Sequence, residues 1–248
     1  MTEPCIDIEM FTWNNLQADI YLGLHAHSMW LYLESVVTPA LDAIDARYDE
    51  LSRSDEPTAI FQLGDVNALR RATIEAFALS IQSNWERQLR GFIKGCAREL
   101  KHSADYVEKL ECAPWAKLLK QFKELRGLPL EAFGSFPDLE LLQLLGNACR
   151  HGDGKSAKML YERWPEFWPN WPPAPPAGWS GPLLANVPNH PSFSGVSLHR
   201  SVLVRLIHAV IWFWEDHSYI YTNSIKPKSS SIEGDLAKMR EKRARRRR

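Results

Sequence analysis

The sequence predicts an all-α helical bundle with one long irregular insertion before its last core helix. Three observations carry that prediction. Apolar residues recur at helical spacing through most of the 248 residues. No stretch of any length alternates apolar and polar residues as a half-buried strand would, and glycine, proline and capping residues stand between the periodic segments. With 45% hydrophobic residues the chain can bury a sizeable core. No polar linker divides it, so residues 1–225 read as one helical domain and residues 226–248 as a basic, disordered tail.

From Leu16 to Leu51 the residues Ile20, Leu24, Leu31, Val36, Ala40, Ile44 and Tyr48 recur mainly at helical spacing. The interruption near Pro39 predicts one kinked helix or two consecutive ones. A proline-free helix of about 35 residues is expected from Asp65 or Asn67 onward, both acceptable N-cap types. Its stripe of Ile74, Phe77, Ile81, Trp85, Leu89, Phe92 and Cys96 follows the spacing of a core-facing surface, so these aromatics read as core. A further helix over Trp115 to Leu125 closes at Arg126-Gly127 with Pro129 beyond, the order of a C-terminus. Ser135 and Asp138 form an S-x-x-D capping pattern ahead of LELLQLLGNACRH. That helix is expected to end at Gly152-Asp153-Gly154, with SAKMLYERW forming a short helix after it.

Between Pro165 and Pro191 lie nine of the sixteen prolines together with Trp168, Trp171 and Trp179. Proline removes the backbone donor that a regular helix or central strand needs, so residues 165–192 read as an irregular loop, polyproline-like over Trp171 to Pro176. With Trp164, the tryptophans predict that the loop packs on the body. Ser197 is the expected cap of a last helix that is apolar nearly all round from Val202 to Trp214, hence central and buried.

The longest apolar run, Ala209 to Trp214, is far shorter than the roughly 20 residues of a membrane span. MTEPCIDIEMFTW lacks the basic and apolar regions of a secretory signal, and the expected location is the cytoplasm. The four cysteines are widely spaced, without a CxxC pair, and read as reduced and structural. His25 and His27 point to different sides of a helix, so no metal site is expected. The net charge of zero hides an asymmetry. Lys238 to Arg248 carries eight basic residues and one Glu, leaving the body as negative as the tail is positive. Such a block either attracts RNA or another polyanion or serves as a solvated arm.

The segment suggestive of chemistry is Leu144 to Gly154, LLGNACRHGDG. Asn147 and His151 are four residues apart, so they share a helix face beside a glycine terminus, where the helix dipole favours a protonated histidine. Helix capping by His151 and a backbone contact by Asn147 are the plain alternative. Together with a long helix carrying Trp85-Glu86-Arg87-Gln88-Leu89-Arg90, the ending N-x-x-x-H-G-D-G resembles the HEPN superfamily. These are helical-bundle proteins, often dimeric and frequent in bacterial toxin–antitoxin and antiphage systems, and many are metal-independent ribonucleases. The resemblance implies that His151 acts on the ribose 2′-hydroxyl or the leaving group, that an arginine stabilises phosphate charge, and that no cofactor takes part. In this chain Gly146 stands where the arginine before the Asn would be, and Arg150 lies one turn later, displaced by about 6 Å. The expected function is therefore a HEPN-like nucleic-acid-associated binding or regulatory protein lacking efficient catalysis. The alternative is a metal-independent endoribonuclease using His151, Arg150 and Asn147. Lys155, Arg243, Arg245, Arg246, Arg247 and Arg248 are the expected nucleic-acid contacts. A homodimer or a cognate protein partner is expected, and no membrane association.

Overall fold

A computed structural model describes residues 7–172 and 189–246. Among the described residues the chain is all-α, with nine α-helices and no strand. None of these helices is long and apolar enough to cross a membrane. The chain forms two compact units, one comprising residues 1–31, 85–137 and 208–248, the other residues 32–84 and 138–207.

The first helical run is broken as Pro39 requires. Helix α1 (Leu22–Tyr32) follows a 3₁₀ turn over Gln17–Tyr21, and a π-helical segment, Leu33–Val37, leads into α2 (Thr38–Ser52). Pro39 has no N–H for the carbonyl four residues back, and Thr38 N–H instead bonds Leu33 O in a wider turn. Helix α3 (Ala59–Glu99) has 41 residues. It starts earlier than Asp65, because Pro57 and Thr58 supply the first turn and Gly64 is carried inside the helix. Of the expected stripe, Ile74, Ile81, Trp85, Leu89, Phe92 and Cys96 are buried.

Helix α4 (Ala104–Glu111) has no counterpart in the sequence reading. Ser103 caps it, its Oγ accepting from Tyr106 N–H at 3.2 Å. Helix α5 (Trp115–Arg126) ends as expected, at Gly127 with φ 70° and its N–H on Lys123 O. Helix α6 (Phe136–His151) does not use the S-x-x-D cap. Ser135 Oγ is buried without a hydrogen-bond partner, and Asp138 pairs with Arg205 at 3.3 Å. Helix α7 (Lys155–Arg163) follows the glycine turn. Helix α8 (Arg200–Ser224) begins after Ser197, with His199 Nδ1 accepting from Ser201 N–H in place of a serine cap. As expected, it buries Leu203, Leu206, Ile207, Val210, Phe213 and Trp214.

The first unit is centred on His217. This histidine is fully buried among Trp13, Phe92, Phe122, Phe133, Phe213 and Trp214, stacked on Phe133 with ring centroids 4.5 Å apart. Beside it, Arg126 and Asp19 form an ion pair at 3.0 Å with both side chains sealed from solvent. In the second unit Arg200 joins Asp42 and Asp45, each at 2.8 Å, and Arg70 also pairs with Asp45.

The tail is not the disordered segment expected. Residues Ser230–Arg246 form helix α9, with Leu236 fully buried and Arg243 nearly so. The run of charge had obscured a stripe of Ile232, Leu236, Met239, Arg243 and Arg246, spaced by fours and threes, that turns one face inward. The polyproline reading of Trp171 to Pro176 falls largely outside the described residues. At the loop's two ends, Trp168 is buried and its Nε1 donates to Ser192 O at 2.9 Å.

Candidate functional site

Gly146 stands where the resemblance would place an arginine. It lies buried in α6, and a Cβ built on it would stand 2.6 Å from both Cβ and Cγ of Gln82 on α3. Real Cβ atoms do not approach that closely, so α6 and α3 meet here at a distance only glycine permits. Gln82 is fully buried and its Nε2 donates to Gln143 Oε1 at 3.0 Å, a polar contact beside the close approach. No arginine can occupy position 146 without separating the two helices. Gln82 and Gln143 were missed in the sequence. Gln143 carried a signal, as a single glutamine inside the apolar run LLQLLG, whereas Gln82 stands among polar residues in SIQSN and carried none.

The three proposed catalytic residues sit around the end of α6. Asn147 is half-buried, whereas Arg150 and His151 are exposed. Arg150 Nη2 reaches Ser83 Oγ at 3.3 Å and Gln82 Oε1 at 3.5 Å, which holds the guanidinium over α3. The His151 side chain has no hydrogen bond or ion pair among the described residues, so nothing orients its imidazole as an acid or base. Gly152, with φ 67° and its N–H on Ala148 O, ends the helix as expected. Asp153 is a structural tie: its carboxylate accepts from Phe193 N–H at 2.5 Å and Ser192 Oγ–H at 2.9 Å. Those bonds hold its carboxyl below the usual carboxylate range. Arg71 reinforces the same turn by donating to the carbonyls of Phe193 and Ser194. Lys155 is exposed at the start of α7.

The tail arginines divide by face. Arg243 Nε and Arg246 Nη1 both donate to Asp216 Oδ1, at 3.0 and 2.8 Å, and Arg246 also binds Glu215. Arg243 Nη1 lies 3.1 Å from Glu9 as well. These two arginines, expected on nucleic acid, are committed to acids of their own unit. Arg245 is exposed and, among the described residues, pairs with Glu241 on its own helix. Arg247 and Arg248 lie outside the described residues. Asp216 is thereby occupied with α9, and His217 with its aromatic cage.

Residues of the Trp85 to Arg90 segment make contacts within the first unit. Arg90 pairs with Glu86 at 2.5 Å and donates to Leu110 O, and Gln88 accepts from Trp214 Nε1 at 2.9 Å. His25 packs on Trp214 and His27 on Trp30, apart from each other as the spacing requires. Among the described residues no group of His, Cys, Asp or Glu could hold a metal ion. Burial pushes the Cys96 and Cys149 thiols up to about 12, so both are inert at neutral pH.

No known protein family matches the chain, and no curated protein or solved structure is significantly similar to it.

Proposed function

We propose that this chain is a HEPN-like, nucleic-acid-associated helical binding module without ribonuclease turnover. The observation that carries the reading is the contact between Gly146 and Gln82. The position from which the motif's arginine would reach a phosphate is filled by another helix. Arg150 does not replace it, because a displacement of about 6 Å along the axis is large against the sub-ångström placement that charge stabilisation of a transition state requires. His151 and Arg150 can still touch a phosphate as exposed charges.

The nucleic-acid surface is the outward face of α9. Lys238 and Arg245, on one side of the helix, keep 81% and 75% of their side-chain surface exposed, whereas Arg240 points to another side and donates to Tyr219 Oη at 3.1 Å. Among the described residues Lys238 and Arg245 are paired with acids on their own helix, contacts worth about a few tenths of a kcal/mol. A phosphate backbone competes readily with pairs that weak.

The test measures cleavage and binding side by side. In EDTA the purified protein should leave mixed RNA intact. Cleavage that disappears in His151→Ala would instead establish a nuclease. Single-stranded RNA should bind with a steep salt dependence. Replacing Lys238 and Arg245 with Gln should lower the slope of log K against log salt by about 1.4, at roughly 0.7 per phosphate contact. An unchanged slope would remove α9 from the interface.

A further inference from the structure

The first unit contains a groove of about 590 Å³ bounded by α1, α8 and α9, within the size range of small-molecule sites. Two histidine–tryptophan pairs line it. On α1, His27 lies parallel to Trp30, with ring centroids 6.3 Å apart and an interplanar angle of 14°. On α8, His208 lies over Trp212 at 5.6 Å and 29°. The spacings are i, i+3 and i, i+4, so each helix presents both rings of its pair on one side. The walls are thus four flat rings, with Ala26 and Ile211 between them.

The α9 side of the groove is cationic. Lys242, Arg243 and Arg246 line it against one carboxylate, Glu215. Glu215 receives Lys242 Nζ and Arg246 Nη2. Asp216 takes Arg243 Nε and Arg246 Nη1. N–H groups remain after those bonds are counted. Arg246 Nε and Arg243 Nη1 are buried with no hydrogen-bond acceptor, and Arg243 as a residue is 94% buried, its relative exposure being 6%. Its Nη1 approaches Glu9 at 3.1 Å without hydrogen-bonding geometry. Both atoms are closed off from the groove, so it meets the charge of these arginines and not their N–H groups, and Lys242, its side chain 65% exposed, is the donor within a ligand's reach. Arg246 also lies 5.7 Å from the Trp212 ring centre, which joins the cationic wall to the aromatic one.

We propose that this groove binds a small aromatic anion. Its ring system stacks among Trp30, Trp212, His27 and His208, and its carboxylate or sulfonate group accepts from Lys242, whose exposed pair with Glu215 is weak enough to give way. This site is independent of the nucleic-acid reading, which uses the outward residues of α9.

Two dyes that share one ring system test it. Anilinonaphthalene sulfonate carries the acid group, and phenylnaphthylamine is the same body without it. By fluorescence titration the intact protein should bind the sulfonate with a stoichiometry of one, about tenfold tighter than the neutral dye. Lys242→Gln should remove about fivefold of that preference and leave the neutral dye unaffected. Trp30→Ala should weaken both. Leu24→Ser, on the exposed apolar face of α1 and away from the groove, should change neither. Equal affinity for the two dyes, no binding, or a loss in Leu24→Ser as large as that in Trp30→Ala would overturn the proposal.

Discussion

At the scale of single residues, the proposed function turns on Gly146. A glycine inside a helix is ordinarily unfavourable by about 1 kcal/mol relative to alanine, so its presence here needs a packing reason. Gln82 supplies one. Gly146→Ala should destabilise the protein by about 1–3 kcal/mol in urea unfolding, as overpacking does. Combining it with Gln82→Ala should recover part of that loss, giving a coupling on the order of 1 kcal/mol between the two positions. A Gly146→Ala variant as stable as the parent would show that α6 and α3 can move apart, and would reopen position 146 to a side chain. The sequence displayed the missing arginine but not its cause, because the identity of the opposing residue depends on a pairing 64 positions apart in the chain.

Among the helices, legibility followed the clarity of the apolar period. The α3 stripe, the Gly127 end of α5, the Gly152 end of α6 and the buried α8 could all be read from spacing and punctuation. The capping serines were less legible. Ser135 and Ser197 have the right residue type, yet Ser135 is buried without a partner and Ser197 donates its backbone N–H to Phe167 O ahead of the helix. Tertiary contacts decided those positions over local preference. Helix α9 was concealed because its inward stripe shares its last two places with arginines, which a charge-run reading assigns to solvent. Their partners, Glu9, Glu215 and Asp216, are far away in sequence. Leu236→Ala should therefore lower stability by about 2–5 kcal/mol, as a buried leucine does. Arg245→Ala, on the outer face, should change it by less than about 0.5 kcal/mol. Urea unfolding of both variants checks this, and a neutral Leu236→Ala would mean that the tail is a solvated arm after all.

At the scale of the whole molecule, the opposed charges of body and tail are partly spent on one another. Lys242, Arg243 and Arg246 meet Glu215, Asp216 and Glu9, while Lys238 and Arg245 stay exposed on the outer side of α9. The pH dependence of global stability should instead be set largely inside the first unit, by His217. Burial among aromatic rings lowers its pKa to about 3, with a further push from the Arg126 charge opposed by the bond to Phe213 O. Native His217 therefore stays neutral where the unfolded chain takes up a proton, and between the unfolded value of 6.5 and about 3 the unfolded state binds more protons. Stability contributed by neutral His217 is thus fully present above pH 6.5 and declines as the pH falls below it, by up to about 1.4 kcal/mol per pH unit. Asp19 and Asp216 act in the opposite sense, since desolvation raises both and the native state binds their protons more readily. Comparing the protein with His217→Phe isolates the histidine, because both carry the same aspartates. The difference in unfolding free energy should be constant above pH 7 and should shift in favour of His217→Phe at each step down to pH 4. Parallel profiles over that range would mean that His217 is protonated in the folded state, and that its aromatic cage admits water.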